Sequence, residues 1–419
     1  MKILGRLSQS NIFSKWVSIF GWESIEKIRS YSYRVPYCVP YWNRATYRAM
    51  IRCFLRKEVI DGPDVDRLME RLKQFFSVPA VIPCRSGRVA IELALRASGV
   101  SEGDEVAVPT FCCTSVILPI LAVGAIPILT DVGEELSLTP ETLVAALSSK
   151  TKAVIVPHLF GNPSQIKEIV EMCHDRGIFV IDDAAQAFGA TLDGRPLGTF
   201  GDAGVVSFGN GKVCFGTGGG VLVSRRTDIL ERARQVKLSR GTFLRGALDG
   251  LSILIWRRWR QWSLPLQAVI LRVKRPKIGS QPYLKETMRN LDAAIAVTLL
   301  DTLENNIHAR RERVSAYRRC FEGNPRLALI PHSVGSACLT QVIHINSARD
   351  VIKTLRSRGY EVSDSYTPLH LLPEYCKFAR SPLKNAERTW SNLFEVPCEP
   401  SVSLDEVANI SSIVRECLR

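Results

Sequence analysis

Short runs of consecutive apolar residues recur along the chain, each followed by a stretch with helical spacing. The runs are Val78 to Pro83, Val106 to Val108, Ile126 to Leu129, Ala153 to Val156, Ile178 to Ile181, Ala203 to Phe208 and Val221 to Val223. Each is too short for a helix and is apolar on successive residues, as expected of a strand buried on both faces. Between them apolar residues step by three and four. Asp64 to Phe75 places Val65, Leu68, Leu72 and Phe75 on one face, and the same spacing predicts helices over Val89–Ala97, Ser115–Val123, Pro140–Leu147 and Ser164–Arg176. This alternation predicts an α/β fold, a mostly parallel sheet with helices on both faces. A charged helix over 225–240 leaves this unit. A long helix from Met288 to Asn305 turns Ala293, Ala294, Val297, Leu300 and Leu303 inward, and Arg310 to Phe321 continues as helix. A small α/β domain follows, with strands Ala328–Pro331 and Gln341–Ile345 and a helix over Arg349–Arg358. Residues 1–57 show poor periodicity and read as an irregular arm. The expected division is 1–57 for that arm, 58–240 for the large domain, 241–284 for an insertion, and 285–419 for the connecting helix and small domain.

On a parallel sheet, ligands bind at the carboxyl ends of the strands. Cys113, His158, Asp183 and Lys212 all follow predicted strands, which directs them to one site. Lys212 stands in a glycine-rich turn, in Ser207-Phe208-Gly209-Asn210-Gly211-Lys212. A desolvated lysine loses its proton readily and forms Schiff bases with carbonyls. Asp183 ends the strand Ile178 to Ile181 and offers the carboxylate that a pyridinium nitrogen requires. Taken singly, each has a plainer reading, a solvated loop lysine and a helix-capping aspartate. Their combination with Gln186 and Ser207 at fixed offsets favours a site. Ser86-Gly87 opens the helix after Pro83, where backbone N–H groups and the helix dipole favour a phosphate; a serine N-cap is the plainer reading. His158 alone also reads as a loop histidine without a ligand.

The segments Asp182-Asp183-Ala184-Ala185-Gln186, Ser207 to Lys212 and Gly219-Gly220 resemble the cofactor site of the DegT–DnrJ–StrS sugar aminotransferases, over roughly residues 58 to 419. The resemblance implies pyridoxal 5'-phosphate (PLP) as cofactor and the fold type I architecture, a seven-stranded large domain and a smaller C-terminal domain. It implies that Lys212 bonds the cofactor and moves the proton, that Asp183 pairs with the pyridine nitrogen, that Ser207 binds the phosphate, and that Gln186 sits near the ring hydroxyl. Ser86, Gly87 and Arg88 would also hold the phosphate. Arg88 replaces the family's threonine, so its backbone N–H serves but the hydroxyl is lost. Cys113 replaces a stacking aromatic, for which Phe111 is a candidate substitute. Lys285 stands where the family has an asparagine that reaches the partner subunit's phosphate, which implies a homodimer. His158 and His370 are the candidates for substrate contact; His370 lies in Thr367-Pro368-Leu369-His370, part of the family's C-terminal pattern. The implied reaction takes an amino group, from glutamate, to a keto-sugar linked to a nucleotide. Dehydrating members carry histidine where this chain has Lys212. A lipid-linked substrate and a non-catalytic scaffold that kept the fold are the alternatives.

Composition narrows the picture. Hydrophobic content of 46% and charged content of 23% fit a globular chain, and 419 residues suffice for a large core. The 12 cysteines include no C-x-x-C pair and only six histidines accompany them, which points to a reducing compartment and no metal. Met1 to Phe20 has no signal-peptide core, and no run is long enough to span a membrane, so a cytoplasmic location is expected. The net charge of +14 is uneven. Residues 1–60 hold 11 Lys+Arg against 3 Asp+Glu and residues 240–290 hold 11 against 2, so the remainder is slightly acidic. The same stretches hold Trp16, Trp22, Trp42, Trp256, Trp259 and Trp262. Basic, tryptophan-rich amphipathic segments suit an anionic membrane surface, and they equally suit a helical hairpin packed on the protein with its arginines in water. No motif that reads nucleic acid accompanies the charge.

Overall fold

The computed structural model describes residues 33–258 and 283–418. Trp16, Trp22, Trp259 and Trp262, and much of the second basic stretch, lie outside the described residues. Helices α1 (Arg44–Leu55) and α2 (Asp64–Phe76) come first. The central sheet then alternates with helices: β1 (Ala80–Cys84), α3 (Gly87–Ser98), β2 (Glu105–Pro109), α4 (Ile117–Ala122), β3 (Ile126–Thr130), α5 (Pro140–Val144), β4 (Thr151–Pro157), α6 (Ile166–His174) and β5 (Phe179–Asp183). A small hairpin, β6 (Thr191–Leu192) and β7 (Arg195–Pro196), precedes β8 (Ala203–Ser207) and β9 (Gly220–Ser224). The seven strands lie in the order β1-β9-β8-β5-β4-β2-β3. β9 runs antiparallel to both its neighbours, and the remaining pairings are parallel. The carboxyl ends of β1, β2, β4, β5 and β8 therefore share one edge, and the amino end of β9 joins them. These strands are buried on nearly every residue, which is why they read as continuous apolar runs. The helices cover the faces with single apolar stripes. α2 buries Leu68, Leu72 and Phe76, each worth about 1.5–3 kcal/mol relative to exposure.

α7 (Thr227–Arg234) and α8 (Phe243–Arg258) follow, then α9 (Asn290–Leu300) and α10 (Leu303–Phe321). The small domain contains β10 (Leu327–Leu329), β11 (Thr340–Ile345), α11 (Ala348–Ser357), α12 (Lys384–Trp390), β12 (Leu393–Pro397) and α13 (Leu404–Cys417), with an antiparallel sheet ordered β10-β11-β12. The predicted helix Met288 to Asn305 divides at Asp301–Thr302. Before the break the helix is buried on almost every side, and beyond it the chain turns amphipathic.

The expected arm differs most. Residues 33–57 are packed on the body. Asn43 caps α1 by accepting from the Thr46 N–H at 3.1 Å, and Thr46, Met50 and Cys53 turn inward. Trp42 is 3% exposed and donates its indole N–H to the Phe215 carbonyl at 2.8 Å, so it does not serve a membrane face. Ahead of α1, the chain straps the two domains together. The Tyr37 N–H donates to Glu361 at 2.9 Å, the Tyr37 hydroxyl bonds Glu395 of β12, and Cys38 lies beside Gly211.

Candidate active site

The strand ends converge on a cavity of about 450 Å³ that holds Ser86, Gly87, Arg88, Cys113, His158, Asp183, Gln186, Ser207 and Lys212. Asp183 is 5% exposed and accepts from the Ala185 N–H at 3.0 Å. Burial pushes its carboxyl up, against the pull of that N–H and of the Lys212 charge. Asp182, one residue earlier and on the opposite face of the strand, is fully occupied elsewhere: it accepts from His158 at 2.7 Å and from the Phe200 N–H at 2.8 Å. Asp183 is thus the carboxylate offered to the cavity and Asp182 the one that braces it.

His158 is fully buried and is not a free loop residue. Its Nδ1 accepts from the Ser164 N–H at 3.0 Å, so the ring proton sits on Nε2 and is donated to Asp182. The imidazole presents only its ring to the cavity, as a wall rather than a hydrogen-bonding group. His370 lies outside the cavity. Its Nδ1 is 2.7 Å from the Thr110 hydroxyl and its Nε2 3.1 Å from Glu387, which ties the small domain to the end of β2.

Ser86 occupies the N-cap position of α3 but makes no side-chain cap bond, contrary to the plain reading of that serine. Its hydroxyl and the first N–H groups of α3 are left for a ligand. The turn is closely backed: a Cβ on Gly220 would lie 2.3 Å from the Ser86 carbonyl carbon, and one on Gly87 would lie 3.3 Å from the Ser207 Cβ. Ser207 is buried, and its hydroxyl accepts from the Gly209 N–H at 3.3 Å. Gln186 accepts from the Phe160 N–H and donates to the Tyr366 hydroxyl, both at 3.2 Å, which fixes its amide. Phe111 does not replace a stacking ring over the cavity; it is fully buried between Phe160 and Tyr366, leaving Cys113 at the wall. Lys285 is absent from this cavity and pairs with Glu92 at 2.6 Å.

Sequence reasoning missed the far wall, made by Tyr37, Tyr366, Glu395 and Glu399. Burial raises the pKa of both glutamates; Arg310, 2.7 Å from Glu399, opposes this in that residue. Charged residues at Glu395, inside an apolar strand, and at Glu399 just beyond it were the available signal. Tyr37 carried none.

These residues fit PLP. An uncapped serine at a helix N-terminus suits its phosphate, a buried carboxylate suits its pyridinium, and a lysine between them suits its aldehyde. Bound there, the cofactor would supply an electron sink for the carbon that carries the amine. Asp183 would hold the proton on the ring nitrogen, and the Lys212 amine would move a proton at the reacting carbon.

Comparisons with known proteins agree. The sequence matches the DegT/DnrJ/EryC1/StrS aminotransferase family over residues 43–415. It is 28% identical over 363 residues to the GDP-perosamine synthase of Vibrio cholerae, covering 84% of this chain and 90% of that protein. It is also 28% identical to the UDP-N-acetyl-3-dehydro-alpha-D-glucosamine 3-aminotransferase of Acidithiobacillus ferrooxidans, covering 80% of this chain and 84% of that one. The crystal structure of the aminotransferase TlmJ from Streptoalloteichus hindustanus superposes with a TM-score of 0.75 at 25% identity, over 92% of this chain and 98% of that one. With Lys212 and Asp183 facing one cavity on this fold, the chain belongs to the DegT/DnrJ/EryC1/StrS family of PLP-dependent sugar aminotransferases.

Proposed function

We propose that this protein moves an amino group from an amino-acid donor, glutamate, to the ketone of a nucleotide-linked sugar, in the synthesis of a polysaccharide or secondary metabolite. The carrying observation is a single cavity with Lys212 and Asp183 on one side and the hydroxyls of Tyr37 and Tyr366 with Glu395 on the other. The first side performs the proton chemistry, and the second suits a ring rich in hydroxyl groups. Relatives named for GDP- and UDP-linked sugars support a nucleotide carrier. Lysine at position 212 supports amination over dehydration. The test is to incubate the purified protein with PLP, glutamate and a panel of nucleotide-linked 4-keto and 3-keto sugars. Mass spectrometry should find equal amounts of 2-oxoglutarate and an amino-sugar; 2-oxoglutarate with no aminated sugar across the panel would count against the acceptor.

The reading extends to assembly and location. The protein is a homodimer in which Lys285 leaves Glu92 and turns to the partner subunit's phosphate, testable by sedimentation and by the PLP affinity of Lys285→Ala. It works in the cytoplasm, peripheral to an anionic membrane. Among the described residues no helix is long and apolar enough to cross a membrane. On α1, Arg44, Arg48, Ile51 and Leu55 form an exposed basic and apolar stripe, and on α8 Phe243, Leu244 and Leu251 are exposed beside it. Phe54 and Phe243 pack edge to face between the two helices. Basic residues near such a surface contribute about 1 kcal/mol each. Salt-sensitive binding to phosphatidylserine vesicles, lost when Arg44, Arg48, Arg257, Arg258 and Arg260 become glutamine, supports this location; equal binding to neutral vesicles refutes it.

A further inference from the structure

The cationic side chains among the described residues of the cavity wall are those of Lys212 and Arg88. Lys212 is committed to the cofactor and the proton, which leaves one guanidinium. Its neighbours are all neutralised: Arg85 faces Asp249 and Asp292, Arg289 faces the same two carboxylates, and Arg96 and Lys285 share Glu92. Arg88 has no carboxylate within ion-pair distance among the described residues. Its guanidinium carbon lies 5.6 Å from the centre of the Tyr283 ring. Burial lowers its pKa, with the Cys113 thiol and the Tyr283 hydroxyl opposing that only in part. A guanidinium half-withdrawn from water without a counter-ion is an anion receptor, since a bound carboxylate restores the hydrogen bonds that burial removed.

Four anionic groups enter a reaction of this kind, since glutamate brings both an α- and a γ-carboxylate. The cofactor's phosphate has its own place at the uncapped α3 N-terminus, with Ser86 and Ser207. A nucleotide's diphosphate is several bonds from the reacting carbon and belongs near the mouth. The donor's γ-carboxylate lies two methylenes beyond the reacting carbon, whereas its α-carboxylate is attached to that carbon itself, so the receptor for the α group must stand close to the cofactor ring. Arg88 stands beside Cys113, and both line the cavity that holds Lys212 and Asp183. Among the described residues, the opposite wall carries Glu395 and Glu399 and offers no cationic side chain to receive a carboxylate.

We propose that the Arg88 guanidinium receives the α-carboxylate of the amino donor, which makes it a specificity-determining residue; this rests on the aminotransferase reading above. The arginine is then a functional replacement at a position where the backbone alone serves the phosphate.

The experiment compares wild type with Arg88→Ala and Arg88→Lys in single-turnover reactions with glutamate and with its α-amide, isoglutamine. A charge-assisted hydrogen bond of ordinary strength implies a loss of about 10- to 100-fold in kcat/KM for glutamate in Arg88→Ala, with partial rescue in Arg88→Lys. The preference for glutamate over isoglutamine collapses, while the PLP dissociation constant of the cofactor-free protein and the KM for the sugar stay as in wild type. Calorimetric titration of 2-oxoglutarate into each PLP-loaded protein gives a readout independent of turnover, with binding weakened in Arg88→Ala. Unchanged glutamate kinetics overturn the proposal, as does an equal loss with isoglutamine. A defect confined to PLP affinity reassigns Arg88 to the phosphate, and one confined to the sugar's KM reassigns it to the diphosphate; either overturns it. If wild type transfers no amine yet binds 2-oxoglutarate through Arg88, the aminotransferase reading fails while the anion receptor stands.

Discussion

Asp292 offers a quantitative test of how the cofactor turn is held. It is fully buried in α9, where it pairs with Arg289 at 2.8 Å and Arg85 at 3.4 Å and accepts from the Thr217 hydroxyl at 2.6 Å. Arg85 immediately precedes Ser86, and its carbonyl accepts from the Gly219 N–H at 2.9 Å, so this network underlies the phosphate turn. Although burial alone would raise the Asp292 pKa, the two guanidiniums and the hydroxyl bring it down from 3.8 to about 2. At 1.36 kcal/mol per unit, the ionised carboxylate contributes about 2 kcal/mol at neutral pH. The sign follows from the depressed pKa: the contribution is complete above the unfolded value and disappears as pH falls through the folded one, so roughly half is gone at pH 3. Asp292→Asn should therefore lower stability at pH 7 by about 2 kcal/mol, and by as much as ~5 kcal/mol if Arg289 is left uncompensated. Asp249, 2.8 Å from Arg289, favours the lower figure. Urea unfolding of both proteins at one concentration, at pH 7 and pH 3, measures this. The stability gap should narrow at the lower pH. A gap below ~0.5 kcal/mol at pH 7, or one independent of pH, would refute the reasoning.

Two further substitutions test the site. Burial raises the Asp183 pKa, so the ionised carboxylate costs stability above the folded pKa and nothing below the ordinary carboxylate range. Asp183→Asn should leave the cofactor-free protein at least as stable as wild type at pH 7 in a denaturant melt, while turnover falls by orders of magnitude; near-normal turnover would mean that the ring nitrogen has another partner. Gly220→Ala places a methyl group 2.3 Å from the Ser86 carbonyl carbon, so the turn must move. PLP affinity should weaken, and a fluorescence titration that finds wild-type affinity would show that the phosphate is held elsewhere.

The large domain was legible because both-faces burial keeps polar residues to the strand ends, and the apolar runs therefore coincide with β1 to β5, β8 and β9 to within a residue or two. Lys212, Asp183, Ser207 and Gln186 were legible because each stands at a fixed offset from such a strand. The wall opposite them was not, because Tyr37, Tyr366 and Glu395 reach the cavity from segments more than 140 residues away in sequence, through tertiary packing that no local pattern encodes. Three local misreadings have local causes. The inward stripe Thr46, Met50 and Cys53 of α1 is only weakly apolar, so the helix passed for an arm. The break between α9 and α10 contains neither glycine nor proline. His158 read as a loop histidine and His370 as part of the family's C-terminal pattern, and only the structure reveals that Asp182 and Ser164 enclose the first while Thr110 and Glu387 draw the second away from the cavity.

The central claim is that Lys212 bonds the cofactor that carries the amine. It is tested most directly by the visible absorbance of the purified protein, wild type and Lys212→Ala, before and after glutamate. Wild type reconstituted with PLP should be yellow, lose that colour when glutamate is added, and after borohydride yield a labelled peptide containing Lys212. Lys212→Ala should bind PLP without a covalent link and keep its spectrum in glutamate on the timescale over which wild type bleaches. A colourless wild type that takes up no PLP, or a borohydride label on another lysine, would contradict the account.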